Sequence, residues 1–366
     1  MAEPSTRPAH TGISPRAAIA LIVVVLLVAS VAILNLVNVP KVIYRPGPAY
    51  DALGQVDGTD VISVEGIPTY PTSGTLDFTT ITLSGGPRFP VSAWEWIGAH
   101  FDSSSAIANE KDVFPPNATP AEVREQNLEL MTDSQQQAAV VALRAIGTTV
   151  PEEVKVAQVL VGAPADGVLK VNDQIVSVNG TTIKNPDDLR DVLQAVTPGD
   201  DASFTIVRAG ETREIEVPTG DAKDTSDDPA VESRTIIGIF PVSDFELPYD
   251  ITINAGSVGG PSAGLMFSLA IYDTITEGEL TGGRDVAGTG TINSEGDVGP
   301  IGGIAQKLIG AHDEGADFFL APADNCNEVV GHIPDDLKVA KVATFDDARV
   351  VLEAIAKDPN APLPQC

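Results

Sequence analysis

One short stretch combines a nucleophilic side chain with the backbone that acyl transfer requires. The turn at residues 259–264, GGPSAG, is followed at once by the apolar run of residues 265–271. Small residues that lead into an apolar helix place the hydroxyl of Ser262 at or beside a helix N-terminus. Backbone N–H groups there lack intrahelical partners and carry the positive end of the helix dipole. A negative oxygen is stabilised at such a place, so Ser262 is a candidate nucleophile.

The turn alone leaves two other interpretations open. It could cradle a phosphate, but the P-loop pattern needs a Gly-Lys pair, and this sequence contains none. Alternatively, the glycines only permit a tight turn, and Ser262 serves as the N-cap of the helix.

A second glycine-rich stretch, residues 296–303, precedes a predicted helix that carries Lys307. Ile304, Leu308 and Ala311 recur at helical spacing, so Lys307 borders an apolar stripe. Burial there disfavours the ammonium, and lowering the pKa from about 10.4 toward roughly 7 to 8 costs on the order of 4 kcal/mol. The neutral amine is then a candidate general base for Ser262. An isolated lysine at such a position would more often extend its amine to solvent. Only the occurrence of the serine turn in the same chain favours the interpretation of Lys307 as a general base.

Three motifs occur in a fixed order: GPSAG around Ser262, TGTI at residues 289–292, and PIGG followed by Lys307. Together they resemble the proteolytic domain of Lon proteases, and the resemblance covers roughly residues 230–356. It implies that Ser262 is the nucleophile, that Lys307 is the general base and that Thr289 helps to hold the lysine. The turn residues Gly260, Pro261 and Ala263 support the nucleophile. Lon usually has Lys-Glu where this chain has Ala305-Gln306, and we expect no effect on the chemistry.

Histidine offers a different base for Ser262. The four histidines are His10, His100, His312 and His332, and none has a supporting motif. His10 precedes the apolar N-terminal segment, and His312 falls off the helix face that carries Lys307. The sequence therefore favours a Ser-Lys dyad over a Ser-His-Asp triad. We predict neither a metal nor a cofactor.

Residues 17–37 are apolar except for Ser30 and Asn35, which is enough to cross a bilayer core. We predict a single transmembrane helix after a cytoplasmic tail at residues 1–16. A cleaved secretory signal is the alternative, but the apolar run continues past the possible cleavage site. Only Glu3 among the 51 acidic residues precedes residue 51. The part of the chain after the apolar segment is therefore strongly acidic, and we expect it to lie outside the cytoplasm. The chain would then be a single-pass protein of the cell membrane.

The formal net charge of −29 disfavours partners that are themselves anionic, including nucleic acid and acidic lipid. The two cysteines, Cys326 and Cys366, both belong to the part expected in an oxidising compartment. They are therefore candidates for a disulfide.

The remaining chain divides into four segments. The strand GTLDFTTITL at residues 74–83 is similar to the opening strands of the Lon fold, which makes residues 41–146 the first part of that domain. Residues 150–220, with NDQIVSVNG at their centre, resemble a bacterial PDZ domain. Such domains bind extended peptides by strand addition, although no carboxylate-binding loop is legible before Val156, and a structural spacer is the alternative. Residues 221–233 are predicted to be a linker, and residues 234–366 complete the catalytic domain.

The sequence thus predicts an α+β fold: a Lon-type proteolytic domain with an inserted PDZ domain and one N-terminal transmembrane helix. It resembles the bacterial PDZ-containing Lon-like peptidases. The resemblance implies a serine endopeptidase that cleaves extracytoplasmic proteins or peptides and that can assemble as a homo-oligomer. No Walker A motif is present, so we expect activity without ATP. Two alternatives stay open: a non-catalytic PDZ adaptor, and a peptidase dedicated to one signalling partner.

Overall fold

The computed structural model describes residues 15–56, 58–115, 118–225 and 233–366. Most of the predicted tail at 1–16 and of the predicted linker at 221–233 lies outside these ranges. The chain forms two compact units. The first contains the described residues up to Ser63, together with Pro68–Val141 and Ile251–Cys366, and the second contains Val64–Ile67 and Ala142–Asp250.

The helices of the described chain are α1 (Pro15–Leu36), α2 (Ala93–Ala99), α3 (Glu110–Val113), α4 (Pro120–Ala145), α5 (Pro186–Gln194), α6 (Gly264–Ile275), α7 (Ile304–Asp313), α8 (Cys326–Val329) and α9 (Phe345–Lys357). Its strands are β1 (Asn38–Val39), β2 (Lys41–Asp51), β3 (Gln55–Val56), β4 (Thr59–Asp60), β5 (Ile62–Glu65), β6 (Thr75–Ser84), β7 (Val91–Ser92), β8 (Ala106–Asn109), β9 (Glu152–Val159), β10 (Gln174–Val178), β11 (Thr181–Thr182), β12 (Asp201–Arg208), β13 (Glu211–Pro218), β14 (Gly220–Asp221), β15 (Thr235–Ile236), β16 (Ile239–Phe245), β17 (Asp250–Ile253), β18 (Asp285–Gly288), β19 (Thr291–Ile292), β20 (Val298–Gly299), β21 (Phe318–Pro322) and β22 (Lys338–Val342).

The main sheet of the first unit has the order β22-β21-β18-β6-β2-β8. Strands β6, β18, β21 and β22 are parallel, whereas β2 runs antiparallel to both of its neighbours. Strand β2 is not predicted from the sequence, because its Pro46-Gly47-Pro48 segment resembles a loop. The prolines are tolerated because β8 pairs only with residues 41–44, so the later part of β2 is an edge on that side, and because its register with β6 shifts between Pro46 and Ala49.

Helix α7 lies against β2 and β6 at very short range. A Cβ added at Gly310 would stand 2.4 Å from the carbonyl oxygen of Gly47, so only glycine allows the helix to approach the strand this closely. The apolar stripe of Ile304, Leu308 and Ala311 is fully buried in a core that includes β21 and β22. The packing of α7 therefore fixes where its other side chains lie.

The second unit contains an antiparallel sheet with the order β13-β12-β10-β9-β16. Helix α5 covers its core, and the helix begins with Asn185 as N-cap and Pro186 in the first turn. Strand β16 follows the other strands in sequence, beyond residue 220, yet it pairs with β9 along its whole length and forms one edge of the sheet.

At the N-terminus, α1 contains Ile19–Leu36, the one helix of the described chain that is long and apolar enough to cross a membrane. No part of this segment is buried within the protein. Length and composition thus permit a membrane span.

The C-terminal segment is tied to the first unit by a disulfide between Cys326 and Cys366, which are 40 residues apart. The main chain also contributes, since the N–H of Lys341 donates to the carbonyl oxygen of Pro364 at 2.9 Å. The disulfide therefore closes a loop that contains β22 and α9.

We expect Cys366→Ser to lower the free energy of unfolding by about 3 to 4 kcal/mol, because the unfolded chain regains the entropy of a 40-residue loop. Thermal unfolding monitored by circular dichroism checks this. Dithiothreitol should lower the Tm of the wild-type protein by about as much as the substitution does, and it should leave the Tm of the variant unchanged. An unchanged wild-type Tm under full reduction would contradict the prediction.

Candidate active site

Ser262 lies two residues before α6, on the turn between β17 and the helix. The residue at the N-cap position is Ala263, and no side chain caps the helix there. The interpretation of Ser262 as an N-cap is therefore wrong. Its hydroxyl instead faces the amine of Lys307, with Oγ and Nζ 2.8 Å apart.

Lys307 is one of the largest buried side chains in the described part of the protein, with 2% of its surface exposed. Within that part, no carboxylate forms an ion pair with it. Burial without a compensating charge lowers the pKa of Lys307 from 10.5 to about 7. The amine is therefore substantially neutral at physiological pH and can accept a proton.

Thr289 connects the lysine to the nucleophile turn. It follows the end of β18, is fully buried, and its Oγ1 accepts a hydrogen bond from Lys307 Nζ at 2.9 Å. The same hydroxyl donates to the carbonyl oxygen of Ser262 at 2.9 Å. The N–H of Gly290 donates to that carbonyl as well, at 2.8 Å. Thr289 and Gly290 thereby fix both the amine and the peptide group after Ser262.

Ser134 on α4, which the sequence analysis does not single out, holds the preceding peptide group. Its Oγ donates to the carbonyl oxygen of Pro261 at 3.0 Å. Because C=O and N–H point in opposite directions in a trans peptide, fixing the Pro261 and Ser262 carbonyls also fixes the Ser262 and Ala263 N–H groups. Neither N–H donates to an acceptor among the described residues. Both are thus available to an incoming oxygen.

A sequence signal for Ser134 does exist. It lies on the helix face that carries the buried residues Met131, Ala138 and Val141, so it is a small polar residue in an apolar stripe. A Cβ at Gly264 would stand 2.7 Å from Ser134 Oγ, which explains the glycine at the start of α6. The contact joins residues 127 positions apart, and helical periodicity cannot show such a contact.

Asn325 is a second residue of the site region that the sequence analysis does not single out. It is buried, and its side-chain amide accepts from the N–H of Ile301 and donates to the carbonyl oxygen of the same residue, both at 2.9 Å. Ile301 belongs to the PIGG loop that leads into α7. Asn325 therefore fixes the loop from which the lysine helix starts, directly beside the disulfide at Cys326.

The histidines do not support a triad in the described chain. His100 and His332 are exposed, and each ring contacts a carbonyl oxygen four residues earlier, that of Trp96 and that of Glu328. His312 is exposed and lies 3.6 Å from its neighbour Asp313. The side-chain partner of Ser262 is Lys307. His10 lies outside the described residues.

Comparison with known families gives a consistent result. Residues 247–356 match the Lon protease (S16) C-terminal proteolytic domain, and residues 123–219 match the PDZ domain family. The chain is 38% identical over 113 residues to Lon protease 1 of Bacillus subtilis, which covers 30% of this chain and 14% of that protein. It is 36% identical over 91 residues to Lon protease of Fusobacterium nucleatum, covering 24% and 12%.

Among solved structures, the PDZ domain of the SdrC-like protein from Listeria monocytogenes is similar at 22% identity. That match covers 24% of this chain and 86% of that one, with a TM-score of 0.21.

The chain therefore combines a PDZ domain with a Lon-type proteolytic domain in an α+β fold, as the sequence predicts. This is the composition of a PDZ-containing Lon-like protein. The chain spans only about an eighth of the length of the curated Lon proteases named above.

The burial of Lys307 predicts how the free energy of unfolding depends on pH. Between the folded-state pKa of about 7 and the unfolded-state value of 10.5, the unfolded chain binds a proton that the folded protein lacks. Stability therefore rises with pH in this window. Lys307→Met cannot titrate, so its stability advantage over the wild type should shrink by about 2 kcal/mol between pH 7 and pH 9. Urea unfolding at the two pH values measures this difference.

Ser262→Ala is the matched control, because it alters the same site and retains the lysine. It should keep the pH dependence of the wild type. Equal pH dependence of the wild type and Lys307→Met would show that the buried amine does not titrate in this range.

Proposed function

We propose that the chain is a serine endopeptidase that works through a Ser262–Lys307 dyad. The observation that carries the proposal is the 2.8 Å contact between Ser262 Oγ and the Nζ of a lysine that burial keeps largely neutral. A neutral amine at hydrogen-bond distance from a hydroxyl meets the geometric and the pKa requirement for a general base.

The proposed reaction begins when Ser262 Oγ transfers its proton to Lys307 Nζ and attacks the carbonyl carbon of the scissile peptide bond. The developing oxyanion accepts hydrogen bonds from the Ser262 and Ala263 N–H groups, which the contacts to Ser134 and Thr289 hold in place. The protonated lysine then donates its proton to the leaving amine, and an acyl-enzyme forms. Water, deprotonated by the same lysine, hydrolyses the ester and restores the serine.

Thr289 has a distinct part in this scheme. Its hydroxyl oxygen accepts one hydrogen bond from the amine, which directs the lone pair of the neutral nitrogen toward Ser262. Since the same hydroxyl donates to the Ser262 carbonyl, it cannot donate to the amine. Thr289 therefore orients the base and leaves its lone pair available for the serine proton.

A non-catalytic adaptor with the same fold is the rival function. Burying Lys307 without a carboxylate partner costs about 4 to 5 kcal/mol at neutral pH, by the difference between pKa values of 10.5 and about 7. A scaffold would be more stable with an apolar residue at this position. Because burying the lysine lowers stability, its presence favours the interpretation of the chain as a peptidase over that of an adaptor.

The setting of the reaction is also part of the proposal. Helix α1 anchors the chain in the cell membrane, its N-terminus faces the cytoplasm and the acidic remainder lies outside. No nucleotide is needed, and substrates are unfolded or loosely structured proteins or a dedicated partner. Homo-oligomers are compatible with this scheme.

The PDZ domain is proposed to bind an extended peptide along β16. This strand is one edge of its sheet, and α5 lies against both β15 and β16. It begins at Ile239, directly after Ile237 and Gly238, and Gly238 has φ 76°. The sequence shows no Gly-hydrophobic-Gly loop before Val156, and we propose that this loop at Gly238 takes its place. An added strand on β16 and backbone N–H groups at this loop would together hold a C-terminal carboxylate.

The dyad predicts how activity depends on mutation and pH. Full-length protein in detergent should hydrolyse unfolded casein without nucleotide, and kcat/KM should rise with pH through a midpoint near 7, since the neutral amine is the base. Ser262→Ala and Lys307→Met should each lose at least about a thousandfold in kcat. Wild-type activity in either variant would refute the dyad. A wild type that binds casein but never cleaves it would favour the adaptor.

The PDZ proposal is tested by matched peptides. Decapeptides selected from a random library for binding to the full-length Ser262→Ala protein should bind about tenfold more weakly when their C-terminal carboxylate is replaced by an amide. Fluorescence polarisation measures both affinities. Equal binding of acid and amide would contradict a carboxylate-binding loop.

A further inference from the structure

Exposed aromatic side chains are concentrated in one short stretch of the first unit, in and around α2. In the described part of the chain, four phenylalanine or tryptophan side chains are exposed, and three of them, Phe89, Trp94 and Phe101, lie within thirteen residues. Phe101 is the most exposed of the four at 88%. Ile97 is exposed beside them, one helical turn from Trp94. We call these four residues the aromatic patch.

The patch is held rigidly by the other side of α2. Ser92 caps the helix through a capping box with Glu95, and Ala93 and Ala99 are buried. The second tryptophan, Trp96, packs against a small core of Ile43, Val91 and Ala99. The helix cannot turn to bury Trp94 without losing this core. The exposed face is thus a fixed feature of the fold.

The patch begins where α1 ends. The N–H of Ala93, the first residue of α2, donates to the carbonyl oxygen of Val37 at 2.7 Å. Strand β1, which follows α1 after one residue, pairs with β7 in the register Asn38 to Ser92 and Val39 to Val91. Two hydrogen-bonded strands lie about 5 Å apart. Helix α2 therefore starts within about one strand spacing of the residues that leave the apolar helix.

This distance decides the level of α2 relative to a bilayer. The interfacial layer on each side of the hydrocarbon core is about 5 to 8 Å thick. If α1 spans the membrane, the apolar run leaves the core near Val37, and α2 starts at or inside that layer. Tryptophan and other aromatic residues are enriched at this depth, because their rings are partly apolar and partly polar.

We propose that the aromatic patch lies in the interfacial layer of the same membrane that α1 spans, with the zwitterionic phospholipid interface as its partner. The inference rests on the proposed role of α1 as an anchor. Its consequence is that the first unit is attached at two places, the span and the patch, so it cannot rotate freely about a single tether. The membrane would then fix the orientation of the unit that carries Ser262 and Lys307.

Local charge supports a neutral lipid. The guanidinium of Arg88 lies 4.9 Å from the ring centre of Phe89. Glu95 and Asp102 are exposed close to the patch, and the chain as a whole is strongly acidic. Anionic headgroups would gain little here, and we expect the contact to be carried by apolar and aromatic area.

The chain offers an intrinsic probe, because Trp94 and Trp96 are its only two tryptophans. Full-length protein is reconstituted in nanodiscs of phosphatidylcholine with or without bromine atoms near the glycerol end of the acyl chains, and its fluorescence is compared. The Trp96→Phe protein, which retains exposed Trp94, should lose about half of its emission in the brominated lipid, since bromine quenches only on contact at that depth. The Trp94→Phe protein, which retains Trp96, should lose a smaller fraction of its emission than the Trp96→Phe protein does.

A second pair of variants keeps the test valid if Trp96→Phe folds poorly. Phe101→Ser removes the most exposed ring of the patch without disturbing a buried contact, and it should reduce quenching in the protein that keeps both tryptophans. Phe240→Ser removes an exposed ring from the second unit and should leave quenching unchanged.

The remaining outcomes overturn the proposal in distinguishable ways. If Trp94 is not quenched but the protein resists alkaline extraction from the membrane, the proposed membrane contact of the aromatic patch is refuted and α1 is still an anchor. Protein released by alkaline extraction would refute both, while casein hydrolysis tests the dyad independently. A Trp94 that is unquenched by bromine yet shielded from aqueous acrylamide would assign the face to a protein contact instead.

Discussion

The candidate site depends on one unfavourable burial. An amine is removed from water beside a serine, without a carboxylate to neutralise it. The same fact lowers the pKa of Lys307 and destabilises the protein, so reactivity and stability are opposed at this residue. The surrounding structure must hold the amine in place by packing and by its hydrogen bonds to Ser262 and Thr289. This is why α7 is fixed to β2 at the Gly310–Gly47 contact and to the core by Ile304 and Leu308.

Holding the amine is only half of the requirement, because the turn that carries Ser262 has no regular structure of its own. Contacts from two separate parts of the chain hold it: Ser134 from α4, and Thr289 and Gly290 from the segment after β18. Each contact engages a carbonyl oxygen, and each thereby directs the N–H of the same peptide group elsewhere. The available donors at Ser262 and Ala263 result from this arrangement, and the helix dipole of α6 adds to it.

The two units divide the proposed work. The first contains the candidate catalytic groups, the disulfide and the apolar N-terminal helix, and the second contains a sheet with a free edge beside α5. The second unit is built from a nearly continuous segment, whereas the first is assembled from segments on both sides of it. The candidate site of this interrupted domain draws on both parts of the chain, since Ser134 from the first part contacts the turn after Ile251.

Much of this protein can be predicted from its sequence, because the relevant signals are local. The GPSAG, TGTI and PIGG motifs predict Ser262, Thr289 and Lys307, and the apolar stripe of α7 explains the buried amine. The apolar helix follows from its length and composition, and the PDZ unit follows from the resemblance of residues 150–220, with NDQIVSVNG at their centre, to bacterial PDZ domains. What local patterns cannot show is which distant groups meet. Ser134 looks like an ordinary serine in a long helix, and Asn325 like part of a loop.

The limits of prediction elsewhere have the same origin. Strand β2 reads as a loop because its prolines are acceptable only where β8 no longer pairs with it, and that depends on sheet order. Strand β16 joins the PDZ sheet from beyond the predicted boundary, because edge pairing is decided in space. The sequence by itself determines which residues are candidates for the chemistry and which segments are apolar. Only the tertiary structure decides which carbonyls, edges and exposed rings are brought together, since those contacts join residues far apart in the chain.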